Sequence, residues 1–131
     1  MPPHTWKAVE RKICRYLLMD RTPLSGGNGR ITRADCRECG TNTNLFVEVK
    51  HGSSVPRTWK SSMKLFEDTE MKAAVEKKRA VVVLHPKRMA GVAMYPAFIR
   101  LNDGELNGHI VQIPLEIIKI VLLKQRYGEE E

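Results

Sequence analysis

The chemistry this sequence can offer is concentrated in Asp35, Glu48 and Lys50, the last two within the run Leu45-Phe46-Val47-Glu48-Val49-Lys50. In that run apolar Leu45, Val47 and Val49 alternate with Phe46, Glu48 and Lys50, a period of two that predicts an extended strand. A strand in that phase points Glu48 and Lys50 to the same side. Charges on a short apolar strand are costly unless something pairs with them. Asp35 would bring a second carboxylate to the same spot if residues 31–36 and 45–50 form a hairpin, with Asn42-Thr43-Asn44 as its turn. Two carboxylates and a backbone carbonyl, here that of Val49, can hold a hard divalent cation such as Mg2+. A neighbouring ammonium can steady a negative transition state. The outline is that of a phosphodiesterase site.

Several elements must position these groups. Residues 5–19 are expected to form an amphipathic helix capped by Thr5, with Trp6, Val9, Ile13, Tyr16 and Leu17 recurring at spacings of three and four. Glu10 sits beside that stripe. Residues 20–31 are turn-rich, and small residues flanked by Arg21, Arg30 and Arg33 suit a phosphate backbone. The G-x-x-x-x-G-K-[ST] pattern of a P-loop is absent. His51, beyond the Glu48 strand, could contact phosphate, although an exposed His at a strand end is commoner.

A long helix is expected over about residues 58–78, with Trp59, Met63, Phe66, Ala73 and Ala74 inward and Lys77-Lys78-Arg79 closing it. The continuous apolar run Ala80-Val81-Val82-Val83-Leu84 fits a strand covered on both faces. Strand, helix, strand in this order predicts a right-handed crossover and a mixed sheet. Residues 92–101 and 109–113 read as further strands, with a turn at Asn102-Asp103-Gly104. Pro114 is expected in the first turn of a last helix running to about Lys124. The apolar residues of that helix wrap more than one face, so part of it suits a deep core or a dimer interface.

Beyond these local readings, Asp35 followed by Glu48-Val49-Lys50 resembles the PD-(D/E)xK nuclease signature, with Ala34 where the nominal pattern has Pro. Trp6-Lys7-Ala8-Val9-Glu10-Arg11 is similar to that superfamily's first helix with its additional acidic residue. Arg21-Thr22-Pro23-Leu24-Ser25-Gly26-Gly27 is similar to the R-x-P-x-S-G loop of archaeal-type Holliday junction resolvases, including phage-encoded relatives. The resemblance implies an α/β, restriction-endonuclease-like mixed central sheet flanked by helices. It implies catalytic Glu10, Asp35, Glu48 and Lys50, with Glu10, Asp35, Glu48 and the Val49 carbonyl around Mg2+, for which Mn2+ would substitute. It assigns DNA contacts to Arg21 and Ser25, and Arg11, Arg30 and Arg33 are expected to meet the DNA backbone beside them. The implied activity is nicking of paired strands of four-way DNA junctions by a homodimer. Two other readings remain: a nuclease of the same superfamily acting on flaps, ends or specific sites, and a basic DNA-binding protein whose carboxylates only make salt bridges.

At 131 residues the chain is expected to form one domain, residues 1–128, followed by an acidic tail at 129–131. Residues 1–60 carry 11 Lys/Arg against 5 Asp/Glu, and residues 61–131 carry 11 against 10, which together give the formal net charge of +7. The basic excess falls on the half that holds the motifs, as expected of a surface meeting a polyanion. No apolar run approaches the length of a bilayer span and no signal-peptide core is present, so no membrane contact is expected and the cytoplasm (a host's, if phage-encoded) is the expected location. Three cysteines, an odd number, argue against a disulfide framework. Cys36 and Cys39 have the spacing of half a zinc site, which Cys14 and His51 would complete only by coincidence of folding. They read as a reduced turn after Asp35. No nucleotide-binding fingerprint, H-E-x-x-H or activated Ser or Cys nucleophile is present.

Overall fold

The computed structural model describes residues 5–22, 33–38, 44–85 and 91–121. Its centre is a four-stranded mixed sheet in the order β3-β4-β5-β6, formed by β3 (Leu45–His51), β4 (Arg79–His85), β5 (Pro96–Arg100) and β6 (Ile110–Pro114). Strands β3 and β4 are parallel, with Glu48 opposite Val82 and Lys50 opposite Leu84, and the two later pairings are antiparallel. Helix α2 (Trp59–Val75) makes the crossover between β3 and β4, as the strand-helix-strand order requires. Helix α1 (Thr5–Tyr16) packs on the other face, and a third helix, α3, begins at Leu115 and is described to residue 121. The result is a mixed α/β architecture consistent with a restriction-endonuclease-like fold. No helix among the described residues is long and apolar enough to cross a membrane.

The period of two in β3 divides the core. Leu45, Val47 and Val49 pack with Val9, Ile13 and Leu17 of α1, whereas Phe46 packs with Phe66 and Ala73 of α2. Strand β4 is buried from Ala80 to Leu84 and supplies both cores, as its unbroken apolar run demands. Burying a side chain such as Phe66 stabilises the fold by about 2–3 kcal/mol. Two of the expected inward residues of α2 lie outside this core: Ala74 is exposed, and Trp59 is 57% exposed, with only an edge contact to Phe98.

Several boundaries differ from the sequence expectation for local reasons. The first helix stops at Tyr16 because Leu17 turns back on Cys14 and Leu18 takes a left-handed conformation, φ 63°. That reversal starts a short strand, β1 (Met19–Arg21), where the end of the helix and the start of the turn-rich stretch were expected. Lys77, expected inside the end of α2, is its left-handed cap (φ 56°): the Lys77 and Lys78 amides donate to Ala74 and Ala73, and Arg79 already belongs to β4. Pro114 is the last residue of β6 rather than a helical residue.

The expected hairpin of residues 31–36 with 45–50 is replaced by another pairing. Strand β2 (Cys36–Glu38) runs antiparallel to β1, with Met19 opposite Glu38, and Asp35 reaches β3 through its amide, which donates to the Val47 carbonyl, and its carboxylate, which accepts from the Val49 amide. The expectation of reduced cysteines is also overturned, since Cys14 and Cys36 are joined as a disulfide between α1 and β2. Cys14 lies four residues after Glu10, and tertiary packing against the segment after Asp35 brings its sulfur to Cys36. Cys39 and residues 129–131 lie outside the described residues.

Candidate functional site

Strand β3 forms one edge of the four-stranded sheet. Its even-numbered side chains point toward α2, so Glu48 and Lys50 stand on the same face, and Lys50 Nζ lies 3.7 Å from Glu48 Oε1. Asp35 sits against the free edge and is fixed there by its backbone. The Thr22 amide donates to the Asp35 carbonyl and the Asp35 amide to the Val47 carbonyl, both at 2.8 Å. The Asp35 carboxylate accepts from the Val49 amide at 2.7 Å. Along a strand the N–H and C=O of one residue point the same way. Val49 therefore directs its carbonyl to the edge that Asp35 occupies.

Two carboxyl groups meet at this edge. Burial pushes Asp35 above its ordinary range, against the Val49 amide, the Glu48 hydrogen bond and the cations Lys50 and Arg21. Burial, then the Asp35 charge, raises Glu48 from 4.5 to about 7, with Lys50 and Lys72 opposing. The hydrogen bond between them lowers Asp35 and raises Glu48, which marks the two as a proton-sharing pair. Like-charged groups pressed together in a partly dry site mark functional centres more often than they mark stability. The donor set is all oxygen and would turn doubly anionic on losing one proton. It therefore fits a hard divalent cation better than a soft one.

Glu10 is buried on the opposite face of β3, where α1 packs. Arg21 Nε donates to its Oε1 at 3.0 Å, and His51 Nε2 lies 3.9 Å from its Oε2. Burial and then Asp35 raise Glu10, while Arg21 and Lys7 pull it down. Trp6 closes this face: its ring stacks on His51 at 5.7 Å, and the Arg21 guanidinium lies over it at 5.5 Å. Arg21 Nη2 is buried with no hydrogen-bond partner among the described residues.

The structure thus brings Asp35, Glu48, Lys50 and Val49 together and sets Glu10 beside Asp35 across the strand edge. Among the described residues no three or more His, Cys, Asp and Glu side chains form a group able to hold a metal, and the Glu10 carboxylate is engaged by Arg21 and His51. Arg21, expected on DNA, has a side chain only 14% exposed and is committed to Glu10 and Trp6. Arg11 is exposed on α1, and Arg33 is exposed with its amide donating to Glu76. Ser25 and Arg30 lie outside the described residues.

Sequence reasoning gave Trp6 no role at the site, weighed His51 only as a phosphate contact beyond the strand, and missed Lys72. The first two left a trace. Trp6 and Glu10 are four apart and share a helical face, and His51 has the odd parity of Val49, which turns it toward α1. No family model matches the chain, and neither does any curated protein or solved structure.

Proposed function

We propose that this chain is a metal-dependent, structure-specific endodeoxyribonuclease that nicks paired strands of four-way DNA junctions as a homodimer. The observation that carries the reading is the proton-sharing Asp35–Glu48 pair with Lys50 beside it, at the strand edge where the PD-(D/E)xK resemblance expects a nuclease site. Asp35, Glu48 and the Val49 carbonyl would hold Mg2+, or Mn2+ in its place. A cation held there supplies Lewis acidity toward a phosphate oxygen and acidifies an attacking water.

The chain's own groups do the remaining work. Glu48 would give up the shared proton on taking part in holding a cation. The Lys50 ammonium offsets charge that builds on the phosphate in the transition state. Arg21 holds Glu10 oriented beside Asp35 by donating to its carboxylate. Exposed Arg11 and Arg33, with Ser25 by resemblance and Arg30 from the sequence, grip the DNA backbone without reading base sequence, which suits recognition of DNA shape. Ile117 and Ile120 are 41% and 54% exposed and offer an apolar surface to a second copy, which two opposed nicks require. Acting on DNA in this way, the protein would work in the cytoplasm.

A competing reading, a non-catalytic basic DNA-binding protein, is favoured by the absence of a three-ligand group among the described residues. Cleavage of a labelled synthetic four-way junction beside a matched linear duplex, with Mg2+ and with EDTA, separates the two. The nuclease reading expects paired symmetric nicks in the junction, lost with EDTA and in Glu48→Ala. Cleavage of both substrates would keep the catalytic site and discard the junction preference. Binding without cleavage in any metal would leave the carboxylates structural.

A further inference from the structure

The segment that carries Asp35 is held by a short ladder, by burial of Ala34 and Cys36 and by a few hydrogen bonds. Strand β2 has three residues and, among the described residues, pairs with the equally short β1, and so small a ladder is marginal by itself. The Asp35 backbone adds hydrogen bonds to Thr22 and Val47. One covalent tie supplements them. Cys36, the residue after Asp35, is bonded to Cys14, one helical turn beyond Glu10 on α1. Both half-cystines are fully buried, and Cys14 Sγ lies 3.6 Å from the Asp35 carbonyl oxygen. The cross-link therefore joins the two elements that bear Asp35 and Glu10, at a point touching the Asp35 backbone itself.

We propose that Cys14 and Cys36 are positioning residues for the Asp35 carboxylate, and that closing their disulfide raises the protein's affinity for a divalent cation. The inference rests on the reading of Asp35 and Glu48 as a cation site. Closure is a thiol–disulfide exchange with a small-molecule disulfide of the glutathione class. The Cys14–Cys36 bond forms, the S–S bond of the small molecule breaks, two electrons pass to it from the cysteine sulfurs, and both thiol protons leave with the two released thiols. Excess small-molecule thiol reverses the step. Because the sulfurs are buried, exchange in the folded protein proceeds when the short β1–β2 ladder opens. With the link open, Asp35 keeps its hydrogen bonds but loses the covalent tie between its neighbour and α1. Supporting contacts of this kind change metal affinity by about 10–100-fold.

The test is Mn2+ binding to the full chain without DNA, by calorimetry, in a Cys39→Ser background that leaves only this pair. Oxidised protein is compared with protein reduced by a phosphine, at a temperature where circular dichroism shows both to be folded. The expected result is binding about tenfold or more weaker after reduction, restored by glutathione disulfide. In Cys14→Ala/Cys36→Val, which refills the space of the sulfurs, binding should match the reduced protein and ignore redox state. Equal affinity of folded oxidised and reduced protein would make the link a structural staple and overturn the proposal while leaving the cation site standing. Failure of both forms to bind Mn2+ would overturn the cation site and this inference with it. Unfolding of every form without the link would likewise reduce it to a staple.

Discussion

Two charged clusters flank the β3–β4 pair, and they are built on opposite principles. At the start of these strands a cavity of about 430 Å3 is lined by Asn44, Glu70, Lys78, Arg79 and Arg100. There the Arg100 guanidinium donates twice to the Glu70 carboxylate, at 2.8 and 2.7 Å, and Arg79 donates to the Arg100 carbonyl at 2.7 Å. Opposite charges meet, and the ion pair raises Arg100 further. At the other cluster like charges meet: Asp35 and Glu48 are held together closely enough to share a proton. Hydrogen bonding and pairing explain the first cluster as part of the fold. The second costs stability when both groups ionise, a cost that the proposed cation site would offset.

The contrast is broken most sharply by truncating each cluster in turn. Asp35→Ala or Glu48→Ala should lower Mg2+-dependent cleavage by about 10^3-fold, comparable to the loss of a preorganised electrostatic group elsewhere. Glu70→Ala should leave the rate within about twofold. Gel-resolved cleavage of the four-way junction checks both, and a large rate loss in Glu70→Ala would mean that the cavity takes part in the reaction.

Reduction of the Cys14–Cys36 disulfide, which closes a loop at a sequence separation of 22, should cost about 3 kcal/mol of stability. Denaturant melts with and without reductant measure it.

The pH dependence of stability sharpens the comparison further. The folded chain binds the Glu48 proton more tightly than the unfolded chain, its pKa being raised from 4.5 to about 7. That stabilisation is fully present below about pH 4.5 and is lost as pH rises through about 7, at most about 3 kcal/mol for this one group. Glu48→Gln should flatten the slope in urea melts between pH 4.5 and 7. An unchanged slope would place the perturbed proton elsewhere.

The smallest effect belongs to the paired cluster. With Arg100 and Glu70 side chains 39% and 29% exposed, Glu70→Ala should lower stability by only about 0.5–1 kcal/mol. That loss should fade in high salt.

Much of the scaffold was legible before any coordinates, because it rests on local pattern. The alternation at Leu45–Lys50, the unbroken run Ala80–Leu84 and the helix between them specify a parallel pair with a crossover, and the parity of Glu48 and Lys50 puts them on one face. What was not legible depends on contacts across the chain. Cys14 and Cys36 meet because the chain reverses after α1, at the left-handed Leu18, and β1 then pairs with the strand that holds Cys36, and an odd cysteine count gave no hint of it. Asp35 reaches β3 through one amide and one carboxylate rather than through a hairpin ladder, since Cys36–Glu38 finds a better partner in Met19–Arg21. Arg21 reads as a surface cation in sequence and is spent on Glu10 in the fold, a choice that only tertiary burial could dictate.

The most direct test of the central claim is the proton balance of cation binding. At pH 6 a Glu48 with a pKa of about 7 is roughly nine-tenths protonated, and a cation entering between Asp35 and Glu48 must displace that proton. Calorimetry of Mn2+ binding in buffers of different ionisation enthalpy should report release of close to one proton per ion at pH 6, falling toward zero above pH 8 and absent in Glu48→Gln. Binding with no proton release at pH 6, or no binding at all, would contradict the claim that this carboxylate pair is a cation site.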